Sequence, residues 1–289
     1  MLTRTVLWDE PSLGVVDLTC RVAPHGDGAE EVSTEHTVVF PRAGAFLRTR
    51  GRQRALADPT QVIFFTEGET YRFAHPHPGG DDCTSLRVPP STLLEVARAH
   101  ARRPPEDPAA PFAVPQAPAT ARASLLHHGL VAGLRRRALS PLAAQELALD
   151  LLDAAVGAAY ARAEPVAVAA AAMPAAQREL AEAARVALAA RPQSPPALDG
   201  LAARLGCSPY HLCRVFSRAH GTPMRRYLDR LRLRLALPRL AAGEPDLTGL
   251  ALDLGYGDHS HFSNAFRREF GLAPSAARKI LQARPLRFR

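Results

Sequence analysis

The sequence predicts an α+β multidomain protein: a small antiparallel β barrel or sandwich, a helical segment behind it, and an all-α C-terminal domain with two helix-turn-helix motifs. Three observations predict this. Short Val-, Ile- and Phe-rich runs alternate with Gly and Pro through the first 90 residues. Longer stretches with apolar residues at helical spacing follow. One pattern then occurs twice, at 198–216 and 247–266, inside a basic segment. With 289 residues and 47% hydrophobic content, the chain suffices for two or three domains with packed cores.

In order, strands are expected at 14–18, 36–40, 45–48, 61–65, 71–73 and 84–88. The division to helix falls near Ser91, read as an N-cap with Glu95 in the first turns. Helices are expected at 91–103, 119–139 and 142–163; in the last, Leu147, Leu151, Ala154, Ala155 and Ala158 recur at helical spacing. A connector from Pro104 to Pro118 holds six prolines, and an Ala/Pro-rich break spans 165–174. The expected organisation is a β sensing domain at 1–90, a helical dimerisation or linker segment at 91–164, a linker at 165–174 and the motif-bearing domain at 175–289. Apolar stripes on the helical pair at 119–163 suit an isologous dimer contact and equally suit covering the barrel.

The first repeated pattern runs Leu198-Asp-Gly-Leu201-Ala202 through Gly206, Ser208 and Leu212 to Phe216; the second runs Leu247-Thr-Gly-Leu250-Ala251 through Gly255, Asp258 and Phe262 to Phe266. In each, an apolar helix ends at a Gly, whose left-handed conformation costs other residues more. Ser208 and Asp258 then stand where a side chain caps the next helix. Such a second helix is the element that enters a DNA major groove. With Leu212, Val215 and Phe216 turned inward, Tyr210, His211, Cys213, Arg214 and Arg218 face outward; with Phe262, Ala265 and Phe266 inward, His259, Ser260, His261, Ser263, Asn264, Arg267 and Arg268 are left for solvent or DNA. Arg214 suits a guanine edge, Asn264 an adenine edge, and Arg267 and Arg268 suit phosphates.

Charge is distributed accordingly. Residues 175–289 carry 19 Lys and Arg against 9 Asp and Glu, a net of +10, whereas the whole chain is +8. A basic C-terminal third is what phosphate neutralisation requires. No apolar run reaches 18 residues and no charged-then-apolar leader opens the chain, so a cytoplasmic protein without a membrane span is expected. Four widely spaced cysteines (Cys20, Cys83, Cys207, Cys213) make no disulfide framework.

Over about 174–282 the chain resembles the AraC/XylS family of bacterial transcription regulators. The stretch from Ala251 to Pro274 (ALDLGYGDHSHFSNAFRREFGLAP) is similar to the family's Gly-aromatic turn, Ser-x-Phe core, Phe-Arg-Arg and Phe-Gly-x-x-Pro exit, and Phe216 to Pro223 to the matching exit of the first motif. The resemblance implies two motifs joined by one long helix, here filled by 225–241, in which Pro238 is expected to end or kink the helix near Leu237. It marks Tyr210, Cys213 and Arg214 as base-facing. It implies promoter DNA and RNA polymerase as partners, with a small-molecule effector and a homodimer through the front domain.

The front domain resembles the cupin-like sensing barrel that many members carry. His36 with its strand and Gly44, then Phe65 to Tyr71, are similar to that barrel's histidine strand and Pro-Gly-x-x-His turn; Thr66 and Glu67 replace the Pro, and Tyr71 stands where a second histidine is often found. The His-x-His and Glu ligand set is absent, so a cupin metalloenzyme is not expected.

The segment His75-Pro-His77-Pro-Gly-Gly-Asp-Asp-Cys83 packs two imidazoles, two carboxylates and a thiol into nine residues, with Cys20 and His36 as candidates to join it. Imidazole and thiolate suit a regulatory metal ion such as zinc; the same composition also suits a turn-forming loop in which Cys83 is an apolar filler. Cys20 and Cys83 are also candidates for an oxidative bridge. No catalytic constellation stands out. The function expected is a sequence-specific DNA-binding transcription regulator answering a small-molecule, metal or redox signal. The alternative is a DNA-repair enzyme that accepts alkyl groups on a cysteine fused to a DNA-binding domain, which would need an activated thiol.

Overall fold

The computed structural model describes residues 1–51, 53–100, 111–112, 114–163 and 173–283. The end of the helix expected at 91–103, most of the connector at 104–118 and most of the break at 165–174 lie outside them. The strands are β1 (Leu2–Glu10), β2 (Leu13–Cys20), β3 (Glu31–Val32), β4 (Thr37–Gly44), β5 (Phe46–Arg50), β6 (Gln53–Ala57), β7 (Gln61–Phe65), β8 (Thr70–Ala74), β9 (Asp81–Arg87) and β10 (Gln116–Pro118). They form a six-stranded sheet, β1-β2-β9-β4-β7-β10, and a four-stranded sheet, β3-β8-β5-β6. Alternation sorts the side chains between two faces. Val38, Phe40, Val62, Phe64 and Leu86 point to a helical layer. Their neighbours Val39, Ile63, Phe65 and Cys83 point to Phe46, Ala57 and Phe73 of the second sheet. The result is a pair of facing antiparallel sheets. β1, β3 and β6 were not expected from sequence, and the end of the proline-rich connector pairs with β7 as β10.

Helices α1 (Pro90–His100), α2 (Ala121–Arg135) and α3 (Pro141–Ala163) form the layer over the six-stranded sheet. Ser91 does not cap α1, which already begins at Pro90; Pro is well suited to a first turn, where its missing N–H costs nothing. Thr120 caps α2 by accepting from the Ala123 N–H at 3.1 Å. The apolar stripes of this pair are largely used within the chain. Leu126, Leu130, Leu151 and Leu152 cover the sheet, while Leu125 enters a core of the C-terminal domain. His127 and His128 are both buried between these surfaces. His127 Nε2 lies 2.8 Å from Thr84 Oγ1, which also accepts from Arg42 at 2.5 Å; Arg42 and Arg135 both pair with Asp17.

The C-terminal domain comprises α4 (Ala175–Ala190), α5 (Leu198–Arg204), α6 (Pro209–His220), α7 (Met224–Ala241), α8 (Leu247–Asp253), α9 (His259–Phe270) and α10 (Pro274–Gln282). It has two cores: Ala184, Leu188, Leu201, Leu212, Phe216, Tyr227 and Leu231 in one, and Leu237, Leu240, Leu250, Phe262, Phe266 and Leu281 in the other. α7 connects them, with Leu235 against both. Pro238 does not end α7, the first of the two outcomes expected from sequence: its carbonyl still accepts from Ala242 N–H at 3.0 Å. A helix-interior proline costs about 3 kcal/mol, whereas burying Leu237 and Leu240 is worth about 1.5–3 kcal/mol each, so packing outweighs the lost bond. No helix among the described residues is long and apolar enough to cross a membrane.

Candidate nucleic-acid interface

Both repeated patterns fold as two helices joined by a tight turn. α5 and α8 end at Gly206 and Gly255, with φ of 69° and 82°. At Gly255 a Cβ would sit 2.3 Å from the Gln193 carbonyl oxygen, so glycine is required there for space as well as for conformation. The next helix is then capped as the sequence predicts. Ser208 Oγ accepts from the His211 N–H at 3.2 Å, and Asp258 Oδ1 from the His261 N–H at 2.7 Å. Asp246 caps α8 as well, accepting from Thr248 and Gly249 N–H.

α6 buries Leu212, Val215 and Phe216. Its other face presents His211, Arg214 and Arg218 exposed and Cys213 half-buried. Tyr210 is 71% exposed, too much for a packing aromatic. The Arg214 guanidinium stands over the Tyr210 ring at 5.6 Å and donates to its hydroxyl at 3.3 Å, a contact confined to one turn of the helix. α9 buries Phe262, Ala265, Phe266 and Phe270. His259, Ser260, His261, Asn264, Arg267 and Arg268 are exposed and Ser263 half-buried. Their recorded polar contacts are local and long: Arg267 to Asn264 at 3.4 Å, Ser263 to His259 at 3.3 Å. Each polar face thus keeps donors and acceptors available for a ligand.

The front domain grips both halves of this domain from behind. Asp58, fully buried in the β6–β7 turn, accepts from Arg185 on α4 at 2.8 and 3.2 Å and from the Tyr227 hydroxyl on α7 at 2.9 Å. Burial alone would raise the Asp58 pKa, but Arg185 and the Thr60 hydrogen bonds hold it below the usual carboxylate range. In the second half, Arg234 donates to the Ala119 carbonyl at 2.5 Å and pairs with Glu269 at 2.8 Å, and Arg136 donates to the Leu281 carbonyl at 3.0 Å. Sequence reasoning missed Asp58, Arg185 and Tyr227, since nothing local distinguishes them from surface or core residues.

Of the five sensing candidates, Cys20, His75 and Cys83 come together and His36 and His77 do not. The His36 ring accepts from the Glu67 N–H at 3.1 Å; burial lowers its pKa. His77 Nε2 meets the Val186 carbonyl of α4 at 2.9 Å. Two further residues join the cluster: Asp81, 2.7 Å from His75 Nε2, and His25, 3.0 Å from His75 Nδ1. Cys83 is buried and donates its thiol to Asp81 Oδ2 at 3.1 Å. Its pKa is pushed well up by burial and by Asp81, and that of Cys20 is raised by the same two causes. All four cysteines are unbridged.

Comparison with known proteins points to the same segment. A helix-turn-helix domain family matches residues 201–280. The transcriptional activator RhaS of Escherichia fergusonii is 38% identical over 86 residues, which is 30% of this chain and 30% of the relative, so the likeness spans under a third of that protein's length. An AraC-type DNA-binding regulator structure from Chromobacterium violaceum is 27% identical over 39% of this chain and 99% of that one, with a TM-score of 0.35. ToxT from Vibrio cholerae O395 aligns over 95% of this chain and all of its own at 9% identity, with a TM-score of 0.36.

Proposed function

We propose that this chain, whose C-terminal third is a helix-turn-helix domain of the AraC type, is a sequence-specific transcription regulator that binds promoter DNA through α6 and α9. The observation that carries the reading is the pair of capped helices, each anchored by buried aromatic and aliphatic residues, each presenting an outward face of Arg, His, Ser, Asn or Tyr whose side-chain hydrogen bonds among the described residues stay within its own helix, His261 packing besides on the Tyr256 ring. In this reading Arg214 reads a guanine edge, Asn264 an adenine edge, and Arg218, Arg267 and Arg268 position the backbone. RhaS, by its name, is a transcriptional activator; recruitment of RNA polymerase and action as a homodimer follow as part of the proposal. The front domain supplies the signal input.

The alkyl-acceptor alternative needs a thiol with a depressed pKa in an accessible, electropositive setting. Cys83 is buried, and both it and Cys20 sit beside Asp81 with pKa values shifted upward. That weighs against the repair reading. Footprinting on a selected binding sequence tests the regulator reading. Two protected patches per monomer, about 10 bp centre to centre, are expected. One patch, insensitive to substitution of Asn264 and Arg267, would reduce the second motif to a packing scaffold.

A further inference from the structure

The six-stranded and four-stranded sheets meet at one end in a cluster of metal-competent side chains. Cys20 ends β2 and Asp81 begins β9, and the two are directly opposed in the antiparallel register. His75 follows β8 in the other sheet. Gly80 makes the approach: at φ 73°, a Cβ there would lie 1.9 Å from the Cys20 carbonyl oxygen. One ligand atom from each of Cys20, His75 and Asp81 lies within 4.8 Å of the other two. Donors 2.0–2.3 Å from a tetrahedral ion stand roughly 3.5 Å apart, so His75 Nε2 and Asp81 Oδ1, 2.7 Å apart, part by under about an ångström to admit the ion and Cys20 Sγ closes on them by at most about 1.3 Å.

We propose that Cys20 Sγ, His75 Nε2 and Asp81 Oδ1 bind one divalent ion of the zinc class, with the fourth position open to water or an exchangeable ligand. One thiolate, one imidazole and one carboxylate suit zinc or cobalt rather than magnesium or calcium. The surrounding groups support the same assignment. His25 holds His75 Nδ1 at 3.0 Å, and the Cys83 thiol holds the second Asp81 oxygen at 3.1 Å. Both ligands are thus oriented through the atom that would not face the ion. The ion would tie the two sheets together at the base of the β8–β9 loop. That loop also carries His77, bonded to the Val186 carbonyl on α4, so ligation at 75 and 81 acts on the contact between the front and C-terminal domains. The role as signal input rests on the regulator reading; the site itself does not.

The full chain, prepared without a histidine tag and stripped with chelator, is titrated with cobalt(II) and then zinc, following absorbance. One cobalt per chain, with a near-ultraviolet thiolate-to-cobalt band and tetrahedral visible bands displaced by zinc, is expected. Cys20→Ser, at a half-exposed position that tolerates the change, removes the thiolate band and weakens binding at least tenfold. His25→Ala keeps the band but weakens binding about 10–100-fold. Absence of cobalt binding overturns the site, as does a band unchanged in Cys20→Ser, which would assign the thiolate to Cys83, Cys207 or Cys213. DNA titration with and without zinc is read separately. A zinc-dependent change in affinity that Cys20→Ser abolishes supports the input role, whereas an unchanged affinity with zinc bound removes that role and leaves the site standing.

Discussion

Arg214 and Arg267 occupy corresponding outer faces on the two second helices, yet their surroundings suit them to different work. Arg214 is stacked on the exposed Tyr210 ring, which pre-orders its planar fork for a base edge. Arg214→Ala is expected to cost about 1–3 kcal/mol on the preferred sequence and to relax preference at one base pair. Titrations on specific and scrambled duplexes check this: equal weakening on both would make Arg214 a phosphate contact. Arg267 is exposed in the last turn of α9, its guanidinium 3.4 Å from Asn264 Oδ1. Losing one phosphate contact should lower the slope of log K against log salt by about 0.9 in Arg267→Ala. At this scale the sequence was legible where a residue acts on its own segment. Ser208 and Asp258 are caps because a cap needs only the three residues that follow it. Asp81 lies within the His75–Cys83 segment that the sequence marks, but that it stands opposite Cys20, and that His25 stands opposite His75, was not legible, because strand pairing decides both.

Among the elements, α2 carries the clearest pH dependence. His127 and His128 are buried, and both are held neutral: burial, with Arg42 and Arg135 nearby, pushes His128 down to about 3, and burial, His128 and the same arginines push His127 well below its usual range. Unfolded, both titrate near 6.5. Below that pH the unfolded chain binds protons that the folded chain refuses, so stability falls as pH drops from 6.5 toward 3. The loss is about 1.4 kcal/mol per pH unit for each histidine. Urea unfolding at pH 7.5 and 5.5 should show it, and His128→Gln should flatten it by about half. An identical pH response in that variant would place the titrating groups elsewhere. In the second motif, the α8–α9 turn depends on Gly255 for both φ and space. Gly255→Ala is expected to lower the melting temperature of the full chain and weaken DNA binding, while Ala in place of the open-lying Gly200 should do neither. Helical period and turn chemistry gave α5, α6, α8 and α9 from sequence. Periodicity could not give β1, an exposed edge strand, or β10, a three-residue edge strand in a proline-rich run.

Asp58 is the most buried of the polar links between the β domain and the C-terminal helices. Its carboxylate takes two bonds from Arg185 and one from Tyr227, so it ties a turn of the β domain to two helices of the first half of the C-terminal domain. Asp58→Ala would leave the buried Arg185 guanidinium with only Glu182, at 3.5 Å, as a counter-charge, at a cost of up to about 3–5 kcal/mol. Unfolding followed by both far-ultraviolet dichroism and tryptophan fluorescence should then resolve two transitions where the parent shows one, because Trp8 reports only the front domain. A single transition lowered equally in both signals would mean that the domains still unfold together. The sequence by itself determined two helix-turn-helix motifs, the caps of their second helices, the polar faces these expose and the charge they carry, because each rests on residues within one or two helical turns. Only the tertiary structure decided that the stripes of α2 and α3 are spent on the sheet and the C-terminal core, that Pro238 stays inside α7, and which histidines and cysteines meet. Those outcomes depend on strand register and on packing between segments far apart in the chain, and no local pattern encodes which distant surface wins the burial.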